Sequence, residues 1–277
     1  MEISLPVTLA VLGAALLHAS WNVLVKSGGD KELETINIAL GSGAVALVVA
    51  LFLPAPARAS WPWLAGSALV HILYFVFLAG AYRWGELSYT YPLMRGGGPM
   101  IVALVGALAL GEVLPPQETL GVLLICAGIL AFAYGRHDGR ATAFALANAV
   151  VIASYTLIDG QGARHSLAPV SYTLWFFAAN GVAILLYGFA RRGPAAVGYY
   201  FTRNWKRAVL GGSCALGSYG IALWAMTRAP IALVAVLRET AVIFGALIAV
   251  LVLKEKMTRR RLVATGAVML GLIALRL

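Results

Sequence analysis

Tyr91-Pro92-Leu93-Met94-Arg95-Gly96-Gly97-Gly98-Pro99 lies inside an otherwise apolar run from Leu87 to Leu110. Farther along, Ala235-Val236-Leu237-Arg238-Glu239 interrupts a similar run from Ile231 to Leu253. A helix of about 20 apolar residues crosses the hydrocarbon of a bilayer, because lipid cannot satisfy bare backbone groups. Both runs are long enough, so each reads as a membrane-spanning helix with a guanidinium near its middle. The whole chain agrees. Of its 277 residues 61% are apolar and only 12% charged, and the mean hydropathy is +0.86. Soluble domains carry about 45–50% and about 25%. This excludes a water-soluble enzyme, a disordered chain and a disulfide scaffold; Cys126 and Cys214 each sit in an apolar run.

Outward from these two runs, the same length criterion predicts ten spans. They fall at about Leu5–Val25, Thr35–Leu53, Trp63–Tyr82, Leu87–Leu110, Gln117–Tyr134, Ala141–Ile158, Pro169–Ala190, Trp205–Met226, Ile231–Leu253 and Leu262–Leu275. Loops between them carry breakers such as Pro54-Ala55-Pro56 and Pro115-Pro116. The first run lacks the basic start of a secretory signal and reads as a retained helix. Of the 21 Lys and Arg, fifteen fall in loops after odd-numbered spans and four in the opposite loops and tail. The last two are Arg95 and Arg238. The positive-inside rule puts the basic face in the cytoplasm and both termini in the periplasm of a bacterial-type inner membrane. The net charge of +10 then reflects topology and contact with anionic membrane lipid, and no nucleic-acid partner is expected. Trp61, Trp63, Trp84 and Trp205 near span ends fit an aromatic belt.

The chain also repeats itself. Arg95 and Arg238, Glu112 and Glu255, and Gly128 and Gly271 are all separated by 143 residues. His18-Ala19-Ser20-Trp21-Asn22 is echoed by Ile152-Ala153-Ser154-Tyr155-Thr156. The expected fold class is therefore all-α, a polytopic membrane protein of ten helices built as two inverted five-helix repeats, 1–137 and 138–277. Inverted repeats mark carriers that work by alternating access, with the site near the midplane.

Each unit closes in a Leu-x-Glu-x-(Leu/Met) pattern, around Glu112 and around Glu255, before a glycine-containing last helix. These features resemble the ten-helix EamA-type members of the drug/metabolite transporter superfamily over essentially the whole chain. The stretch Ala81-Tyr82-Arg83-Trp84-Gly85-Glu86-Leu87-Ser88 through Gly96 is similar to a subgroup associated with phosphonate-utilisation gene clusters. The resemblance implies movement of small metabolites, often amino acids and often outward.

Residues of chemical interest concentrate in the spans. A charge deep in a span costs about 2.5–3.5 kcal/mol and normally faces a cavity or a partner. Arg95, Arg238 and Glu239 qualify, with Glu239 the one carboxylate expected at depth. An arginine fork holds a carboxylate or phosphonate bidentately, so the two arginines read as an anion site. The plainer alternative is an internal pair of the Arg238–Glu239 type that locks helices together, although neighbours on a helix point about 100° apart and Glu239 more easily meets a different helix or Arg95. Pro92, Gly96, Gly97, Gly98 and Pro99 are candidate hinge residues, since prolines kink and glycines permit unwinding or close packing. His71 and Tyr74 share a face of span three. His18, Asn22 and Lys26, with Trp21, share one of span one, and Asn148, Ile152, Tyr155 and Asp159 one of span six. Such stripes line a cavity or make helix–helix hydrogen bonds. Glu112 and Glu255 are expected to brace loops.

The expected function is secondary transport, in the direction of export, of a small polar metabolite carrying a carboxylate or phosphonate. The substrate-binding set is Arg95, Arg238, Glu239, His71, Tyr74, Tyr91, Trp21, Asn22 and Tyr155. No cofactor, metal or catalytic residue is expected. Partners are the small-molecule substrate and membrane lipid, with a proton as a further candidate through Glu239 or His71. A lipid-linked-sugar flippase or a multidrug or cation exporter is the alternative within transport. An intramembrane enzyme finds no nucleophile–base or metal constellation around His18, His71, His137 and His165. A structural subunit leaves the buried charges without a reason.

Overall fold

The structure, a computed structural model, describes residues 3–131, 138–251 and 259–275. Among these it is all helical: α1 Leu5–Ser27, α2 Lys31–Ala50, α3 Trp61–Trp84, α4 Leu87–Leu110, α5 Pro116–Leu130, α6 Gly139–His165, α7 Pro169–Arg192, α8 Pro194–Met226, α9 Ile231–Arg238, α10 Ala241–Leu251 and α11 Arg259–Ala274. Glu255 with its neighbouring lysines, and His137 at the expected unit boundary, lie outside the described residues. Proline in the first two positions opens α1, α3, α5, α7 and α8, where its missing donor costs nothing. Asp30 caps α2 by accepting from the Leu33 amide at 3.0 Å. Gly111 closes α4 in the left-handed region, at φ +66°.

Among the described residues, eight helical segments are long and apolar enough to cross a membrane, one of them running from Ile231 to Ile248; α5 and the apolar part of α11 are shorter. The protein is a polytopic membrane protein. Four elements differ from the sequence reading. The expected hinge in α4 is absent as a break: the helix continues through Pro92, Gly96, Gly97, Gly98 and Pro99. The glycines instead admit neighbours, since a Cβ on Gly96 would lie 2.8 Å from Leu130, on Gly97 3.2 Å from Ala149, and on Gly98 2.9 Å from Ile152. The interruption falls in the ninth expected span, between α9 and α10. There the Glu239, Thr240, Val242 and Ile243 amides donate to carbonyls three residues back, the tighter winding that marks a local bend. Finally, α6 runs seven residues beyond Ile158 and α8 starts at Pro194 rather than Trp205, bending at Asn204.

Helix packing follows the sequence repeat. α1 lies on α8 and on α9–α10, α6 lies on α3 and α4, and α2–α7, α4–α9 and α5–α11 pair across the middle. Counting α9–α10 as one span, these pairings interchange when every helix is shifted by five. One pairing breaks the pattern. α2 meets α8 nearly backbone to backbone: a Cβ on Gly41 would lie 2.0 Å from the Ala208 carbonyl oxygen, and one on Gly212 2.3 Å from the Ser42 nitrogen. The counterpart pair, α3 and α7, is instead separated by a cavity of about 310 Å³ lined by Trp61, Leu64, Ala68, Trp175, Phe176 and Asn180. Small residues let membrane helices close up, and α3 and α7 place aromatic rings where α2 and α8 place glycines. The core gathers around α9, whose residues from Ile231 to Leu237 are all buried.

Candidate functional site

The broken ninth span sets the site. Because the chain tightens after Leu237, Arg238 and Glu239 leave the wall of α9 and face other helices. Glu239 turns to α4 and forms a two-point pair with Arg95: Nε donates to Oε2 at 3.0 Å and Nη2 lies 2.9 Å from Oε1. Both side chains are well buried, at 16% and 6% exposure. A fork-to-fork pair of this kind fixes two helices in register as well as neutralising both charges.

Arg238 has no such partner. Its guanidinium lies over the Tyr219 ring of α8, 5.1 Å from the ring centre. Among the described residues no carboxylate pairs with it, and its Nε is buried without a hydrogen-bond partner. The cation–π contact is worth about 2 kcal/mol or more when desolvated, but it leaves the Nε donor without an acceptor.

The underside of Tyr219 leads to a residue that the sequence reading left unused. Asp159 of α6 is fully buried and accepts hydrogen bonds from the Tyr219 hydroxyl at 2.5 Å and the Tyr172 hydroxyl at 2.9 Å. Glu239 is therefore not the one carboxylate at depth. Asp159 falls on the stripe of Asn148, Ile152 and Tyr155, but α6 was expected to end one residue before it; only the stripe pointed inward. Ser67 and His71 of α3 approach the same carboxylate. His71 in turn stacks near Tyr155 and Phe176, at 4.4 and 5.0 Å between ring centres, with Tyr74 at 6.4 Å.

Of the expected set, Arg95, Glu239, Arg238, Tyr155, Tyr74 and His71 thus form one charged and aromatic cluster, and Tyr91 reaches Arg95 electrostatically from the exposed side of α4. Trp21 joins only through His18, an edge contact at 5.2 Å, and His18 lies within the fields of both arginines. Asn22 donates to the His18 carbonyl of its own helix at 2.7 Å. Among the described residues no group of His, Cys, Asp or Glu side chains is arranged to hold a metal ion.

Two further polar clusters sit toward the ends of the spans. Glu112, after α4, lies 2.6 Å from the Arg164 Nη1 and accepts from the Ile231 amide that opens α9, at 2.8 Å. It braces a loop and caps the helix that carries Arg238. At the other ends, Asp30, Glu32 and Glu34 of the α1–α2 turn and α2 meet Arg192 and Arg207 of α7 and α8; the Arg207 Nε donates to Glu34 at 2.9 Å. The backbone amide of Leu33 and the guanidinium of Arg192 hold the Asp30 carboxyl below the usual aspartate value.

A many-pass membrane protein with a half-neutralised charge cluster between its helices is the build of a small-solute carrier. The protein belongs to the drug/metabolite transporter superfamily, for residues 140–277 match the EamA-like transporter family. These matches do not distinguish the phosphonate-associated subgroup. A solved protein crystal structure that is 20% identical, with 98% of each chain covered, superposes with a TM-score of 0.74, a likeness of fold alone. No curated protein matches the chain.

Proposed function

We propose that this protein is a secondary carrier for a small anionic or zwitterionic metabolite bearing a carboxylate or phosphonate, moved by alternating access, and that Arg238 receives the acid group. The observation that carries the reading is the unequal state of the two interior arginines. Arg95 is satisfied by Glu239, whereas Arg238 keeps a buried donor without an acceptor. An uncompensated guanidinium within a span is costly and marks a substrate pathway. Its planar fork suits a carboxylate or phosphonate and stays charged at any working pH. Tyr155 and Tyr74 supply π faces for an ammonium group on a zwitterion. Arg95 and Glu239 serve as a positioning strut, while Trp21, Asn22 and Tyr91 belong to the outer wall.

On this reading the chain is not an enzyme. The basic face lies in the cytoplasm of an inner membrane, both termini lie outside, and the direction is export. The closed α2–α8 seam is then the cytoplasmic gate, and the α3–α7 cavity opens toward the outside. The test is counterflow in proteoliposomes with labelled glutamate, alanine, methylphosphonate and tetraphenylphosphonium. Exchange of the acids but not of the cation is expected. Exchange of the cation alone would overturn the reading.

The cavity between α3 and α7 favours one second reading. It is apolar apart from Asn180, a lining suited to the chain of a lipid-linked solute. Flipping of a fluorescent lipid-linked sugar by the same proteoliposomes would select it.

A further inference from the structure

The interior holds four charged side chains at the site, Arg95, Arg238, Glu239 and Asp159, which sum to zero when both acids are ionised. Arg95 and Glu239 cancel each other locally. The remaining two do not touch. Arg238 lies on one face of Tyr219, and the hydroxyl of that same tyrosine donates to Asp159. Asp159 is fully buried, and its donors Tyr172, Tyr219 and Ser67 are neutral hydroxyls, with the imidazole of His71 close by. A carboxylate in hydrocarbon needs either a cation or a proton to balance it.

We propose that Asp159 is a proton-binding site of the carrier, and that one proton is taken up with each anionic solute that binds at Arg238. The proposal rests on Arg238 being the solute's anchor. A solute of net charge −1 on Arg238 leaves the interior one negative charge in excess. A proton on Asp159 cancels it. A zwitterion adds no net charge and requires no proton. Linkage makes the effect reciprocal: the bound anion favours the protonated carboxyl, and the protonated carboxyl favours the anion by the same factor.

The groups facing Asp159 allow this. His71 and Ser67 approach from α3, Tyr172 from α7, Tyr219 from α8, and Arg238 of α9 stands beyond Tyr219. Tyr155 lies one turn back on α6, and Arg164, one turn on, is committed to Glu112. The α3–α7 cavity comes close to the acid. Phe176 lines the α3–α7 cavity and packs against both His71 and Tyr219, at 5.0 and 5.6 Å, so one ring separates the cavity from the residues around the acid.

The experiment is infrared difference spectroscopy of the full chain in lipid, acid minus alkaline buffer, with glutamate and alanine as probes. A protonated-carboxyl band is expected in the wild type, absent in Asp159→Asn and retained in Glu239→Gln. Tyr219→Phe keeps the ring under Arg238 but deletes the donor, and should displace the midpoint of that band even if Asp159→Asn folds poorly. At fixed pH, glutamate should raise the band and alanine should not. A band that survives Asp159→Asn, or vanishes in Glu239→Gln, overturns the assignment. Equal response to glutamate and alanine overturns the coupling. Counterflow of the same probes reports separately on the solute reading.

Discussion

Arg95 and Arg238 occupy matching places in two stretches 143 residues apart, and the protein treats them differently. Arg95 stands on an unbroken helix and is clamped at two points by Glu239. Arg238 stands where the ninth span tightens, carries an aromatic ring beneath it and, among the described residues, has no acid of its own. The carboxylate that sits beside Arg238 in sequence has crossed to the other arginine. One duplicated position thus yields a neutral strut and a spare cation. The seams show the same departure from symmetry, with α2 tight on α8 through Gly41 and Gly212 and α3 held away from α7 by aromatic side chains. Positions that match by sequence offset are unequal in their surroundings, and the proposed function rests on that inequality.

The sharpest way to break the comparison is to remove one member of each kind. Arg95→Ala strands Glu239 in the interior and should destabilise the fold by about 3–5 kcal/mol. Replacing both partners, Arg95→Met with Glu239→Leu, should recover most of that loss in thermal unfolding. Arg238→Ala leaves no partner stranded, so its melting temperature should stay close to the wild type. Its cost should appear in solute affinity, by about 10–100-fold for a lost charge-assisted contact of about 1.5–3 kcal/mol. Equal melting losses at both arginines would contradict the distinction.

The seams offer smaller effects. Gly41→Leu drives a side chain into the Ala208 backbone and should cost about 1–3 kcal/mol in unfolding while also blocking exchange. Ala68→Leu, facing the cavity, should be tolerated by the fold. The smallest effect is at Asp30. Its folded value is lowered, so its contribution is complete above the ordinary aspartate value near about 4 and fades as pH falls through the lower folded value. The melting difference between wild type and Asp30→Ala should be about 1 kcal/mol or less at neutral pH and should vanish in acid.

Much of this was legible in the chain. Apolar runs of spanning length were enough for a many-pass helical membrane protein, and span four was bounded correctly at Leu87–Leu110. The plainer alternative was an internal pair of the Arg238–Glu239 type; because neighbours on a helix point about 100° apart, a different helix or Arg95 was the easier partner for Glu239, and the structure has Arg95. The break was not legible. Pro92, Pro99 and three glycines signal a weak helix, yet α5 and α6 press on α4 closely enough to keep it whole. Span nine, with no proline or glycine near Arg238, tightens there instead. Asp159 stood on the span-six stripe but outside the substrate-binding set, one residue past the expected span end at Ile158. Packing against Tyr172, Tyr219 and Ile231 extends the helix through it.

Counterflow of labelled glutamate by Arg238→Ala and by the Arg95→Met/Glu239→Leu pair, each matched to wild type for folded protein, tests the division of labour between the two guanidiniums most directly. Silence in the first and exchange in the second is the predicted result. Exchange by Arg238→Ala at the wild-type rate would contradict it.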